Sequence, residues 1–342
     1  MEIQSSFFDL QDRHKKLNER DSLQPLNELI DWEIFRKPIE DARRKERRSK
    51  AGRKPFDAVL MFKVLVLQHL YNLSDDELEY QIRDRYSFCR FLGLNPEQRV
   101  PDSKTIWLFR EQLVKAELIK PLFHRFNEYL ESKGYAARKG QMVDASIVDA
   151  PKQRNSREEN AQIKSGDTPE RFETNPNVGR QKDTDARWTK KNNQNRYGYK
   201  NHVSADVKHK LIRDFDVTAA HVHDSNVFLD ILAPNTSKEV WADSAYRSAD
   251  IENALVEQGY TSRIHRKGTR KKPLSEAQQR ANRRKSSIRV RVEHIFGAQA
   301  NGQAAGFIRT IGTARAHCKI GLTNLAYNLR RLVVLDGQAA PA

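Results

Sequence analysis

The chain has 342 residues, with 61 Lys or Arg against 45 Asp or Glu, a formal net charge of +16 with neutral His. No apolar run approaches the roughly 20 residues that cross a bilayer, and the first 25 residues lack the basic-then-apolar order of a secretory leader. Cys89 and Cys318 show no metal-ligand spacing and cannot staple a chain of this size. These features exclude an integral membrane protein and a disulfide scaffold. They lead us to expect a cytoplasmic, nucleoid-associated protein that seeks polyanions.

The excess charge is concentrated. Arg36–Lys54 carries a net +7 and Arg263–Arg291 a net +11, which leaves the other 294 residues at −2. Two basic blocks on a near-neutral body are what phosphate contact and counterion release require. Neither block has a Trp/Phe/Leu face that could lie in lipid, so no membrane partner is expected. The candidate DNA contacts are Arg43, Arg44, Lys45, Arg47, Arg48, Lys50, Arg53 and Lys54 in the first block. In the second they are Arg266, Lys267, Arg270, Lys271, Lys272, Arg283, Arg284 and Lys285.

An N-terminal arm covers residues 1–35, with a short helix predicted at 25–35. PFDAVLMFKVLVLQHLY (55–71) is densely apolar and predicts a buried helix opening near Pro55. Ser74 begins a capping box with Glu77 and opens a helix to Arg85; further helices are predicted at 86–92, from Asp102 or Ser103, and at 118–133. Short helices joined by tight turns beside a basic arm predict a DNA-binding module of helix-turn-helix type over 36–135, with Lys104 as a further DNA contact.

The pattern then changes. QMVDASIVDA (141–150) predicts a core strand, and residues 152–195 show no usable periodicity and are expected to form a mobile loop. Strands are predicted at 197–206, 211–219, 240–242 and 261–264, and helices at 221–232, 249–258, 288–299 and 319–335. Residues 136–337 are therefore expected to form a second domain of mixed α/β type, following the all-helical one.

Asp144 lies inside the apolar strand MVDASIV, Asp243 ends VWADS, and Glu293 sits among Val292, Ile295 and Phe296 in RVRVEHIF. A carboxylate in such company is costly unless compensated. One Asp at a strand end is usually a turn or cap. Three carboxylates of this kind in a basic protein have a more economical joint account as oxygen ligands of Mg²⁺.

MVDAS with IVDAP, RYGYKNHVSAD, WADSAYR and SIRVRVEHIFG resemble, in sequence and order, the DDE transposases of bacterial insertion sequences, in particular the insertion-sequence-five branch. The likeness extends to GRKPFDAVLMFKVLVLQHLYNLSDDELE and VPDSKTIWLFR, and so spans about residues 30–335. It implies a ribonuclease-H-like catalytic domain whose triad falls on Asp144, Asp243 and Glu293, 99 and 50 residues apart. The family pairs its Glu with an Arg four residues earlier, here Arg289; Tyr246 and Arg247 of WADSAYR are expected to support the triad, and Lys200 and His202 of YGYKNH are candidates for touching substrate phosphate, with a strand-surface role as the alternative. Two positions depart from the family: Ser286 stands where related chains carry Tyr, and Ala300 where they carry Lys.

The implied activity is cleavage of element-end DNA and strand transfer to target DNA. It uses two Mg²⁺ ions, with Mn²⁺ as a substitute, and a homodimer on double-stranded DNA. Two alternatives stand beside it: a ribonuclease-H-fold nuclease that cuts without joining, and a weak or inactive DNA-binding relic acting as a repressor. No GxSxG turn and no GxxxxGK[ST] loop occurs, so neither a serine hydrolase nor a nucleotide cofactor is expected.

Overall fold

The computed structural model describes residues 21–44, 54–95, 97–191, 193–269, 272–303 and 305–339. They fall into two compact units, one drawn from residues up to Leu118 and from Leu329 onward, the other from Ile119–Asn328.

The first unit is helical. It contains α1 (Gln24–Leu29), α2 (Arg36–Arg43), α3 (Ala58–Tyr71), α4 (Asp75–Asp84), α5 (Tyr86–Leu92) and α6 (Ser103–Lys115). Helix α3 opens where Asp57 Oδ1 accepts the Leu60 N–H at 2.9 Å and stops at Asn72, whose φ of 51° leaves the helical region. A helix apolar on all sides must be central, and Met61, Phe62, Val64, Leu65 and Leu67 are fully buried. Each such side chain contributes about 1.5–3 kcal/mol of transfer free energy. Ser74 and Asp102 cap α4 and α6. The reciprocal half of the expected capping box does not form, because Glu77 Oε1 accepts instead from Gln81 at 2.7 Å. Arg110 grips Asp75 with two 2.7 Å bonds and ties α6 to α4.

The second unit begins with α7 (Ile119–Ser132) and is built on six strands: β1 (Gln141–Asp149), β2 (Arg187–Lys191), β3 (Gln194–Asp206), β4 (Ile212–Ala219), β5 (Glu239–Trp241) and β6 (Thr261–Ser262). β1, β3 and β4 pair antiparallel, and β5 and β6 continue from β1 in parallel. The order β4-β3-β1-β5-β6, three antiparallel strands and then two parallel ones, is that of a ribonuclease-H-like sheet, as the sequence resemblance implies. The hairpin β2–β3 extends beyond it. At the β3–β4 turn the buried Asp206 accepts the His209 N–H at 2.7 Å and two bonds from Arg213 at 3.0 and 3.1 Å.

Strand alternation sends successive β1 residues to opposite faces. Val143 joins Phe228, Ile231, Val240, Ala242, Tyr246, Leu255 and Ile264 in a core that includes α11 (Ala249–Glu257). Asp144 faces the other way, toward α12 (Glu276–Gln303). In the final helix, α13 (Thr313–Ala339), Asn324 exchanges bonds of 2.9 and 3.0 Å with Asn201 on β3 and accepts from Gln299 on α12 at 2.8 Å. Asn328 likewise brackets the Ile212 backbone at 2.9 and 2.8 Å. These buried amides use their donors and acceptors on one another, which lets them be buried at all.

Several elements differ from the sequence expectation: the helix expected at 25–35 is split into α1 and a 3-10 turn at Trp32–Phe35, and α2 is unexpected. The expected mobile loop 152–195 instead holds α8 (Arg157–Ser165), α9 (Glu170–Thr174), α10 (Pro176–Gly179) and β2. Elements this short show no periodicity; they are fixed by a Ser156–Glu159 capping box, by buried Ile163 and Phe172, and by Tyr199, whose hydroxyl donates to Asp183 at 2.8 Å. The helix expected at 221–232 is only a single 3-10 turn at Asp224–Val227. Helix α12 spans 28 residues rather than the expected 288–299. Its first half is rich in Arg, Lys, Gln and Ala, good helix formers with no apolar stripe to announce them.

Gly198 has φ +151°, and a Cβ there would lie 2.2 Å from the Val148 carbonyl oxygen. Gly198→Ala is therefore expected to cost at least 2 kcal/mol in urea unfolding, far above an ordinary Gly→Ala exchange. An unchanged midpoint would contradict this close packing.

Candidate active site

β1 and β5 pair only at Gln141–Val240 and Met142–Trp241. Two residues beyond that last pair on each strand stand Asp144 and Asp243, so continuing the register sets the two carboxylates side by side where the strands part. Asp144 is mid-strand, with Oδ1 accepting the Ala145 N–H at 2.8 Å. Asp243 caps the turn that follows β5, accepting the Ala245 N–H at 2.7 Å. Such a fork, at the carboxyl end of the parallel pairing, resembles the usual ligand position in open α/β sheets.

Glu293 reaches the same place from α12, whose Val292 and Ile295 are buried and hold the helix against the sheet. Arg289, one turn earlier, joins the set: Nη1 lies 2.9 Å from Asp144 Oδ2 and Nη2 2.8 Å from Glu293 Oε1. All four side chains line one cavity of about 500 Å³, together with Lys191, Gln194, Arg196 and Phe296. The Asp144 side chain is 18 % exposed and that of Glu293 53 %. Burial raises the Asp144 carboxyl to about 6; the Ala145 N–H and Arg289 oppose the rise, and the Asp243 charge adds to it.

Among the described residues no group of three His, Cys, Asp or Glu side chains stands ready-made for a metal ion. Within this cavity Arg289 pairs with both Asp144 and Glu293, and Lys191 and Arg196 add positive charge at its border. The donor chemistry nevertheless fits a hard divalent cation: three carboxylates from separate elements face one space, and the most buried is held above its ordinary range by desolvation and a like charge.

The remaining predicted residues are distributed as follows. Tyr246 is buried in the core, its hydroxyl without a hydrogen-bond partner among the described residues. Arg247 pairs with Glu252 at 3.3 Å and donates to the Ile264 carbonyl, tying α11 to the segment that follows β6. Lys200 is spent on the Val222 carbonyl at 2.6 Å and Asp224 at 2.7 Å. His202 is fully buried against Thr218 at 2.8 Å and pushed down to about 4 by that burial, so it has no surface to offer a phosphate. Arg43 lies over the Phe109 ring at 5.3 Å and donates to the Phe56 carbonyl. Lys285 donates to the Ile264 carbonyl at 2.7 Å. Arg44, Lys54, Lys104, Arg266, Lys267, Lys272, Arg283 and Arg284 are exposed. Lys45, Arg47, Arg48, Lys50, Arg53, Arg270 and Lys271 lie outside the described residues. Ser286 stands 3.4 Å from His265, and the exposed Ala300 is still within α12.

Sequence reasoning missed Lys191 and Gln194, because they fall in the stretch read as a loop, and Arg196, which falls between that stretch and the strand predicted from 197. The available signal was KKNNQN, an Asn-rich turn between RWTKK and QNRYGYK of the kind that joins hairpin strands.

A family model described as "Transposase DDE domain" matches residues 136–329, and one described as "Transposase domain (DUF772)" matches residues 11–112. Among solved structures, the chain is similar to "Cryo-EM structure of piggyBac transposase synaptic complex with hairpin DNA (SNHP)", with 11 % identity and a TM-score of 0.44, over 90 % of this chain and 76 % of that one.

The raised Asp144 carboxyl predicts a pH-dependent stability difference. Below the ordinary value of 3.8 neither the folded nor the unfolded state is ionised there; as pH rises from 3.8 to about 6 the unfolded chain ionises first, and stability is lost. Asp144→Asn cannot ionise. Its stability relative to the wild type should therefore rise by on the order of 2 kcal/mol between pH 4 and 7 in urea unfolding, then level off. A difference that stays flat across that range would contradict the burial argument.

Proposed function

The chain belongs to the DDE transposase family, and on that footing we propose that it cuts DNA at the ends of its own element and joins the freed 3′-hydroxyl to target DNA in a divalent-metal-dependent reaction. The observation that carries this reading is the fork of β1 and β5, which brings Asp144 and Asp243 to one cavity with Glu293. Asp144, Asp243 and Glu293 would hold the metal. Two Mg²⁺ ions held there would supply Lewis-acid activation of a water or 3′-hydroxyl and charge stabilisation of the leaving oxygen.

The chain's own groups do the positioning. Arg289 orients Glu293 and offsets the charge of Asp144. The Ala145 and Ala245 amides fix the rotamers of Asp144 and Asp243. The exposed cations Arg266, Lys267, Lys272, Arg283 and Arg284 lie in the basic block that leads into α12, where they can track the DNA backbone toward the carboxylates. The helical region 36–135 is assigned to DNA-end binding, through exposed Arg44, Lys54 and Lys104. A homodimer follows from the need to hold two ends together. The insertion-sequence-five branch rests on the motifs WADSAYR and SIRVRVEHIFG.

A supercoiled donor plasmid carrying the element's own ends tests the reading. With Mg²⁺ or Mn²⁺ the wild type is expected to nick at the ends, and Asp144→Asn, Asp243→Asn and Glu293→Gln to lose at least 100-fold in rate. Mg²⁺ should also raise the wild-type melting temperature and leave that of Asp144→Asn unmoved. Nicking that survives all three substitutions would overturn the assignment.

A further inference from the structure

The ribonuclease-H-like order needs only five strands, yet β3 runs for 13 residues and pairs its first five with β2. This added hairpin is built firmly. Trp188 packs on Tyr197 with ring centroids 5.2 Å apart, the Tyr197 hydroxyl donates to the Asp183 carbonyl at 2.9 Å, and Arg196 clasps Asp149 with bonds of 2.7 and 2.5 Å. Its register sets Lys191 opposite Gln194 and Thr189 opposite Arg196. Directly opposed residues share a face, so Lys191, Gln194 and Arg196 are presented together, and it is these three that line the carboxylate cavity.

Three cations border that cavity, and two of them are committed. Arg289 serves Asp144 and Glu293, and Arg196 serves Asp149. Lys191 is exposed and makes no ion pair among the described residues. A lysine held by a braced hairpin at the edge of a cavity with three carboxylates, its field felt by Asp144 but its ammonium in no ion pair among the described residues, suits a mobile anion that enters with substrate. Its flexible stem and compact ammonium suit a single phosphate oxygen rather than a planar partner.

Resting on the proposed function, we propose that Lys191 is a further substrate-binding residue of this site: its ammonium contacts a non-bridging oxygen of the DNA phosphodiester at or next to the cut, and the β2–β3 hairpin exists to carry it there. The contact screens the strand's charge as it approaches three carboxylates and fixes which phosphate faces them.

The test uses the full-length protein and duplexes carrying the element's ends, with single phosphates replaced in turn by neutral methylphosphonate. Lys191→Ala is expected to lower single-turnover cleavage about 10- to 100-fold on ordinary DNA. It should lose nothing further on the one duplex neutral at the contacted phosphate, and Lys191→Arg should restore part of the rate. Independently of cleavage, Lys191→Ala should reduce the salt slope of end binding by about one, measured in Ca²⁺. Wild-type cleavage rate and salt slope in Lys191→Ala would overturn the Lys191 assignment and leave the carboxylate reading standing. So would a loss spread evenly over every methylphosphonate position. Absence of metal-dependent cutting by the wild type would overturn the carboxylate reading, while the salt slope would still decide whether Lys191 meets a phosphate.

Discussion

Three carboxylates cannot share a cavity without something to hold them there, and in this protein Arg289 does much of that work. Its guanidinium spans from a strand to its own helix, one nitrogen on Asp144 and another on Glu293. A planar fork with separate donors suits that geometry; a lysine's single ammonium would not reach both partners in the same way. The bridge also fixes the rotation of α12 relative to β1, because the helix face that presents Arg289 and Glu293 lies beside the one that buries Val292 and Ile295. Charge compensation and hydrophobic packing thus specify the same orientation.

The sheet contributes a gap. β5 is only three residues long and leaves β1 after two pairs, so the middle of β1 has no strand partner on that edge. The edge is closed again at its far end, where the Asp149 N–H donates to the Gly306 carbonyl at 2.9 Å and the Ile308 N–H to the Asp149 carbonyl at 2.8 Å. Between the two closures the strand opens onto the carboxylate cavity. The short β5 is the reason for this interrupted edge.

Much of this was legible in the sequence. Asp144 and Asp243 stood out because a charge inside an apolar strand demands an explanation, and the caps at Ser74 and Asp102 read directly as helix starts. The helix from Ala58 announced itself by composition alone. What was not legible depends on distant partners. Lys191 and Arg196 acquire meaning only when β2 pairs with β3, and the segment that carries them is held by Tyr197, Tyr199 and Asp183 rather than by an apolar repeat. His202 reads in the sequence as a residue for substrate phosphate or the strand surface, but alternation together with the β4 pairing turns it inward against Thr218. The basic half of α12 has no stripe to detect, and its helicity comes from propensity and from the anchored half that follows.

The amide relay through Asn201, Asn324 and Gln299 has a consequence for how the protein responds to its solvent. It fastens the helix bearing Glu293 to the sheet bearing Asp144 with neutral groups, which counterions do not weaken. Affinity for a polyanion, in contrast, decays steeply as ionic strength rises. The amide tie between α12 and the sheet is therefore insensitive to the electrolyte that weakens phosphate contacts, whereas the Arg289 bridge is the part of the site that shares the DNA contacts' dependence on it.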